Sequence, residues 1–164
     1  EHQQQLTHLT QINLADLIRT QIAHLAEKST ARHVQFQLTE AQAVNMRAEA
    51  FLLGQAIYNV LDNALDFSPQ NSYIQIHISQ QQQQAHIRIQ DQGTGIPDYA
   101  LTKIFDKFYS LPRPQNTPNA GQKSTGLGLN FVQEVVKLHL GEIHIENNSA
   151  SQGVTVSILL PLNI

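Results

Sequence analysis

Cysteine is absent from the sequence. That excludes a disulfide framework and any thiolate metal site, and it suits a reducing cytoplasm. Charge is scarce as well. Only 14% of residues are Asp, Glu, Lys or Arg and the formal net charge is −3, so there is no basic field to hold a nucleic-acid backbone, and nucleic acid is not an expected partner. Long apolar runs and a signal peptide are also lacking, so the expectation is a soluble fragment, which says nothing of membrane segments in a longer parent chain. At 164 residues the chain can bury one core without staples, and one domain is the default. Glutamine is plentiful: 22 residues, with runs at Gln3–Gln5 and Gln80–Gln84. Such runs read as linker or turn filler.

Residues 1–12 (EHQQQLTHLTQI) are polar with sparse apolar positions, and they read as the tail of a helix belonging to something upstream. Asn13 is a candidate N-cap for NLADLIRTQIAHLAEKS, with Asp16 in the first turn. VQFQL (34–38) alternates as a strand does. The clearest helix spans 50–67, where Leu53, Ile57, Val60, Leu61 and Ala64 cover one face. SYIQIHIS (72–79) and AHIRIQD (85–91) form a hairpin, with Ile74, Ile76, Ile78, Ile87 and Ile89 inward. Residues 98–109 read as short helical turns, and 110–125 as a long irregular loop. A helix over 126–140 and strands at 141–147 and 153–161 complete the chain. The fold class is α+β: a two-layer sandwich with a mixed sheet of about five strands and helices on one face.

Three stretches carry chemistry. DQGTGIP (91–97) follows a strand and brackets one residue with two glycines behind a carboxylate. It is either a hairpin turn or a backbone that something approaches closely. On the 50–67 helix, Asn59, Asn63 and Asp66 share one stripe. Asparagine is a poor helix-interior residue, so the stripe is either a solvated face or a carboxamide pair facing a metal ion and its polar ligand. GLGL (126–129) opens a helix. Its glycines either let a phosphate reach free N–H groups or merely give a junction room. The spacing is not that of a dinucleotide-binding βαβ unit. The eight histidines show no metal spacing, and His77, His86 and His144 read as surface residues.

The order of the pieces is more specific than any one of them. YNVLDNALDFSP (58–69), DQGTGIP, IFDKFY (104–109) and GLGL resemble, in order, the four boxes of the catalytic ATP-binding domain of sensor histidine kinases. That domain belongs to the ATPase superfamily shared with gyrase, Hsp90 and MutL. The resemblance covers about residues 13–162. IFDKFYSLPRP and GQKSTGLGLNFVQEV are most similar to CreC-type sensor kinases.

The resemblance implies a catalytic domain over 13–164 that binds ATP and Mg²⁺. Asp91 would accept a hydrogen bond from the adenine amino group. Gly93 and Gly95 would let the backbone close over the nucleotide, with Ile96 beside them. Asn63 would ligate Mg²⁺, Asn59 would support the phosphates, and Phe67 would flank the base. Phe105 and Phe108 would anchor an ATP lid over 110–125, next to Tyr109. Lys107, Arg113 and Lys123 are its cations within reach of phosphate. Thr125, Gly126, Leu127, Gly128 and Leu129 would lie beneath the phosphates. Asp66 also falls in this site, where many relatives carry a Lys, and a carboxylate there would repel ATP unless a metal or lid cation compensates. The phosphoacceptor box is missing, since His2 and His8 do not resemble it. The implied partners are an upstream dimerisation domain bearing the acceptor histidine and a response-regulator receiver domain, within a homodimeric inner-membrane sensor whose catalytic part is cytoplasmic. The alternative is a degenerate nucleotide-binding domain that acts through protein contacts.

Overall fold

A computed structural model of the chain describes residues 6–114 and 128–164. The first element among the described residues is not helical. Thr10–Asn13 forms strand β1, antiparallel to β3 (Asn45–Ala48), with Ile12 opposite Met46. The expectation of a helical tail over 1–12 is thus corrected for Thr10–Ile12, which belong to the packed domain. Ile12 rests on the core, and the ladder supplies the backbone partners that a short polar segment could not find alone. The strand at 45–48 has no counterpart in the sequence reading. Its alternation, with Met46 and Ala48 buried, is only four residues long.

Asn13 caps α1 (Leu14–His24), its Oδ1 accepting from the Asp16 N–H at 3.0 Å. The single helix expected after it is interrupted at Leu25, and α2 (Ala26–Arg32) follows. Leu25 is buried, and seating that side chain in the core outweighs helix continuity. β2 (Val34–Glu40) follows, after His33 adopts a left-handed conformation. α3 (Ala50–Phe67) matches the expected span. Leu53, Ile57, Val60, Leu61 and Ala64 face the core, and Glu49 caps the first turn through the Leu52 N–H.

The main sheet has the order β2-β4-β5-β7-β6, with β4 at Ser72–Gln81, β5 at Gln84–Gln90, β6 at Glu142–Asn147 and β7 at Val154–Pro161. β2 and β4 are parallel and the other pairs antiparallel, so the sheet is mixed, as expected. Its register is set by apolar pairs: Ile76 opposite Ile89, Ile78 opposite Ile87, then Ile87 opposite Ile158 and Ile89 opposite Val156. A one-residue slip would move each of these to the wet face, at roughly 1.5–3 kcal/mol per side chain. That penalty holds Gln82 and Gln83 in left-handed conformations at the hairpin tip, where neither is a residue that favours them. The short α4 (Asp98–Leu101) and α5 (Gly128–Leu138) complete the helices among the described residues, and α1, α3 and α5 share one core with the apolar face of the sheet.

Candidate functional site

One open cavity lies between α3, the start of α5 and the ends of β5, β6 and β7. Its floor is apolar, formed by Ile89, Ile145, Val154 and Val156 of the sheet with Ile104 nearby. Asn59, Asn63 and Phe67 line it from α3, and Gly128 and Leu129 from α5. Gly95, Ile96, Tyr109 and Arg113 close the rim, and Asp91 stands at the end of the floor. Tertiary folding therefore brings together ten of the residues singled out in the sequence.

Asp91 is buried just past the end of β5. Its Oδ1 accepts from the Gly93 N–H at 2.9 Å and from the Val154 N–H at 3.1 Å. Oδ2 has no hydrogen bond among the described residues, so one acceptor is left beside an apolar floor. Burial pushes the carboxyl above its ordinary value, and the two backbone donors pull the other way. The loop after it is pinned by two residues the sequence reading did not single out. Asn147 accepts from the Ile96 N–H at 2.7 Å and donates to the Ile96 carbonyl at 2.8 Å. Asn148 donates to the main-chain oxygen of Asp91 at 3.1 Å. An Asn-Asn pair between two strands reads as a turn, and nothing local announces that it clamps a loop fifty residues upstream.

The glycines divide into two kinds. Gly93 does not line the cavity: a Cβ there would run into the Phe67 carbonyl oxygen, so its close approach is to the α3 end. Gly95 has φ +84, and a Cβ there would meet Asn147 Oδ1 at 2.9 Å. Gly128 is different. Among the described residues a Cβ there would meet nothing within 4 Å, so their packing does not explain the glycine.

Asp66 lies off the cavity wall, at the hub of an ion cluster. Lys28 Nζ is 2.6 Å from Asp66 Oδ1 and 2.6 Å from Asp62 Oδ1. Arg32 Nη1 stands 3.5 Å from Asp66 Oδ1, while its Nη2 donates to the Asp66 carbonyl. Arg113 donates to Asp66 Oδ2 through Nε at 3.1 Å and Nη2 at 3.0 Å. Burial pulls the Lys28 ammonium down, but the hydrogen bonds and charges of Asp62 and Asp66 outweigh it and hold it above its ordinary value. Three cations thus face two carboxylates, and the expected repulsion of a phosphate by Asp66 is more than compensated. Lys28 and Arg32 sit on the α2 segment, where the sequence alone gave no reason to connect them with α3.

Lys107 and Phe108, the latter at 76% exposure, do not line the cavity, and most of the lid that Phe108 is expected to anchor lies outside the described residues. Phe105 is half-buried, and its carbonyl accepts from Asn130 at 3.1 Å. Lys123, Thr125, Gly126 and Leu127, with most of the expected lid, lie outside the described residues. Among the described residues no three His, Cys, Asp or Glu side chains converge on a metal position. The side-chain oxygens that α3 offers a hard cation in this cavity are those of Asn59, Asn63 and Asp62, and the rest of its shell would come from a ligand's own oxygens.

A mixed sheet with helices on one face, and a cavity between an Asn-bearing helix, a buried acid and a glycine-opened helix, define an ATPase class. Residues 48–164 match the family of histidine kinase-, DNA gyrase B- and HSP90-like ATPases, and the chain belongs to it. Within that family it is similar to sensor kinases. It is 42% identical over 156 residues to Sensor protein CreC of Escherichia coli strain K12, a match covering 93% of this chain and 31% of that protein. It is 28% identical to Sensor protein kinase PmrB of Pseudomonas aeruginosa, covering 92% of this chain and 30% of that one. The chain thus spans under a third of these relatives. The catalytic domain of histidine kinase ThkA shares the fold, with a TM-score of 0.81 at 24% identity over 96% of this chain and 97% of that one. No helix among the described residues is long and apolar enough to cross a membrane.

Proposed function

We propose that this chain is the ATP-binding catalytic domain of a sensor histidine kinase. The γ-phosphoryl group of ATP passes to a histidine on an adjacent helical domain of the parent protein, and from there to an aspartate of a response regulator. The observation that carries the reading is Asp91. It is a buried carboxylate with one oxygen saturated by backbone donors and the other left beside an apolar slot lined by Phe67. An adenine ring offers the matching pair, an apolar face and an amino donor.

The remaining roles follow from position. Asn63 and Asn59 present carboxamides to the cavity from α3, one turn apart, and suit Mg²⁺ and phosphate respectively. The metal supplies charge neutralisation to the phosphates when bound. The first N–H groups of α5 have no partner within the helix, and Gly128 leaves them open to a phosphate. Lys107, three residues before the lid and exposed, and Lys123, within it, are the cations proposed to swing in and assist transfer. Catalysis in such a site is chiefly positioning and charge stabilisation. The parent is proposed to be a homodimeric inner-membrane sensor with this part in the cytoplasm. A regulator partner is supported by a fold neighbour: ThkA bound to response regulator TrrA, with a TM-score of 0.73 at 22% identity.

Radiolabelled ATP tests the proposal. The chain alone should label itself scarcely at all, and adding the helical domain of its own parent should give acid-labile label on that domain. Labelling is expected to be slow, since tethering normally supplies a high effective concentration. ATP binding with no label on the added helical domain would overturn the kinase reading. Stoichiometric self-labelling would move the acceptor into this chain.

A further inference from the structure

Arg113 occupies ground that the proposed ligand needs. Its guanidinium is buried on the cavity rim, with the cation 4.7 Å above the Phe67 ring and Nη2 donating to Asn63 Oδ1 at 3.4 Å. Phe67 is the ring assigned to flank the base, and Asn63 Oδ1 is the oxygen assigned to the metal. We propose that Arg113 is a displaceable internal cation, which holds the metal-facing oxygen of Asn63 in the nucleotide-free chain and is evicted when Mg²⁺ enters with nucleotide. The inference rests on the reading of Asn63 as a metal ligand and adds a competitor for it.

The reason is electrostatic. Mg²⁺ binds oxygen at about 2.1 Å. A guanidinium on the same oxygen would stand a few ångströms from the metal, in a pocket where low dielectric magnifies the repulsion. Both cannot stay. The bonds of Arg113 show which one yields. Its two contacts to Asp66 Oδ2, at 3.1 and 3.0 Å, are short and charge-assisted, whereas the contact to Asn63 is long. The Asn63 end gives way first.

The surroundings make the departure affordable. A buried carboxylate abandoned by its only partner is strongly destabilising. Asp66 is not in that position, because Lys28 stands 2.6 Å from its other oxygen and Arg32 donates to both its Oδ1 and its carbonyl. Arg113 can leave Asn63, or leave the cluster altogether, without stranding a charge. Aspartate at 66 therefore acts as a seat for Arg113, kept neutralised by α2.

The test is a Mg²⁺ titration at fixed ADP. ADP lacks the γ-phosphate, so a separate contact of Arg113 with that group does not enter. In Arg113→Ala the half-saturating Mg²⁺ concentration, read by calorimetry, should fall by about threefold to tenfold, as expected for loss of a long hydrogen bond from a charged donor. In the unmodified chain the NMR signal of the Arg113 Nη2–H group, which bonds Asn63, should shift in step with Mg²⁺ at constant ADP, a readout that does not depend on the variant folding. Mg²⁺-dependent binding with an unchanged or raised half-saturation point in Arg113→Ala, or an Nη2–H signal that stays at its nucleotide-free position, overturns the inference and leaves the function standing. Absence of any Mg²⁺-dependent ADP binding in the unmodified chain overturns both.

Discussion

Asp91 and Val154 exchange two hydrogen bonds: the Asp91 N–H donates to the Val154 carbonyl at 3.0 Å, and the Val154 N–H donates to Asp91 Oδ1 at 3.1 Å. The acid that ends β5 is thereby aimed by the start of β7. Oδ1 is spent on the fold and Oδ2 remains for a ligand.

That division predicts the behaviour of Asp91→Asn. The carboxamide oxygen can still accept from Gly93 and Val154, so the variant should fold. Its nitrogen then takes the place of Oδ2 and turns an acceptor into a donor. ADP and ATP share the base, so both affinities should fall by similar factors, about tenfold or more, as expected for a lost hydrogen bond to a charged group. Calorimetry on the folded variant checks this, and an unchanged ADP affinity would remove Asp91 from base recognition.

Asn63→Ala should separate metal from nucleotide. Binding of ADP in the presence of Mg²⁺ should weaken, while ADP binding in EDTA stays near that of the unmodified chain. An equal fall in both conditions would assign Asn63 a structural role instead.

The glycines give opposite expectations. Gly93→Ala drives a methyl into the Phe67 carbonyl, a rigid neighbour, and should destabilise the chain by about 1–3 kcal/mol. Gly128→Ala meets nothing among the described residues and should change stability by no more than about 0.5 kcal/mol. If a phosphate approaches the start of α5, that same silent methyl should weaken ATP binding. Denaturant unfolding and nucleotide titration on the two variants read both quantities.

His139 predicts a pH dependence. The ring is fully buried. Its Nε2 accepts from the Glu49 N–H at 3.1 Å, so Nδ1 carries the proton and donates to the Val135 carbonyl at 2.8 Å. Burial holds the imidazole below its ordinary value of 6.5, against the opposing pull of the Val135 carbonyl and the Glu49 charge. A depressed folded value means the unfolded chain binds the extra proton first. The stabilisation is therefore complete above 6.5 and is lost as pH falls toward the folded value. Unfolding midpoints should drop as pH falls below 6.5, and His139→Leu should flatten that drop while costing about 1–3 kcal/mol at pH 7 from the orphaned Glu49 N–H. A variant with the same pH slope as the unmodified chain would place the titration elsewhere.

The sequence by itself determined the elements whose apolar spacing is long: α3, the β4–β5 hairpin and β7, together with the Asn13 cap and the ordered motifs that mark the family. Period alone suffices there, because each residue's face follows from its neighbours. Tertiary structure decided the rest. It broke the first helix at Leu25, drew Thr10–Asn13 into a ladder with a four-residue strand, and forced Gln82 and Gln83 into a turn they do not favour. It also surrounded Asp66 with Lys28, Arg32 and Arg113. Each of these rests on contact between segments far apart in the chain. A hydrogen bond or ion pair of that kind leaves no periodicity in the sequence, only residues whose partners cannot be named until the chain has folded.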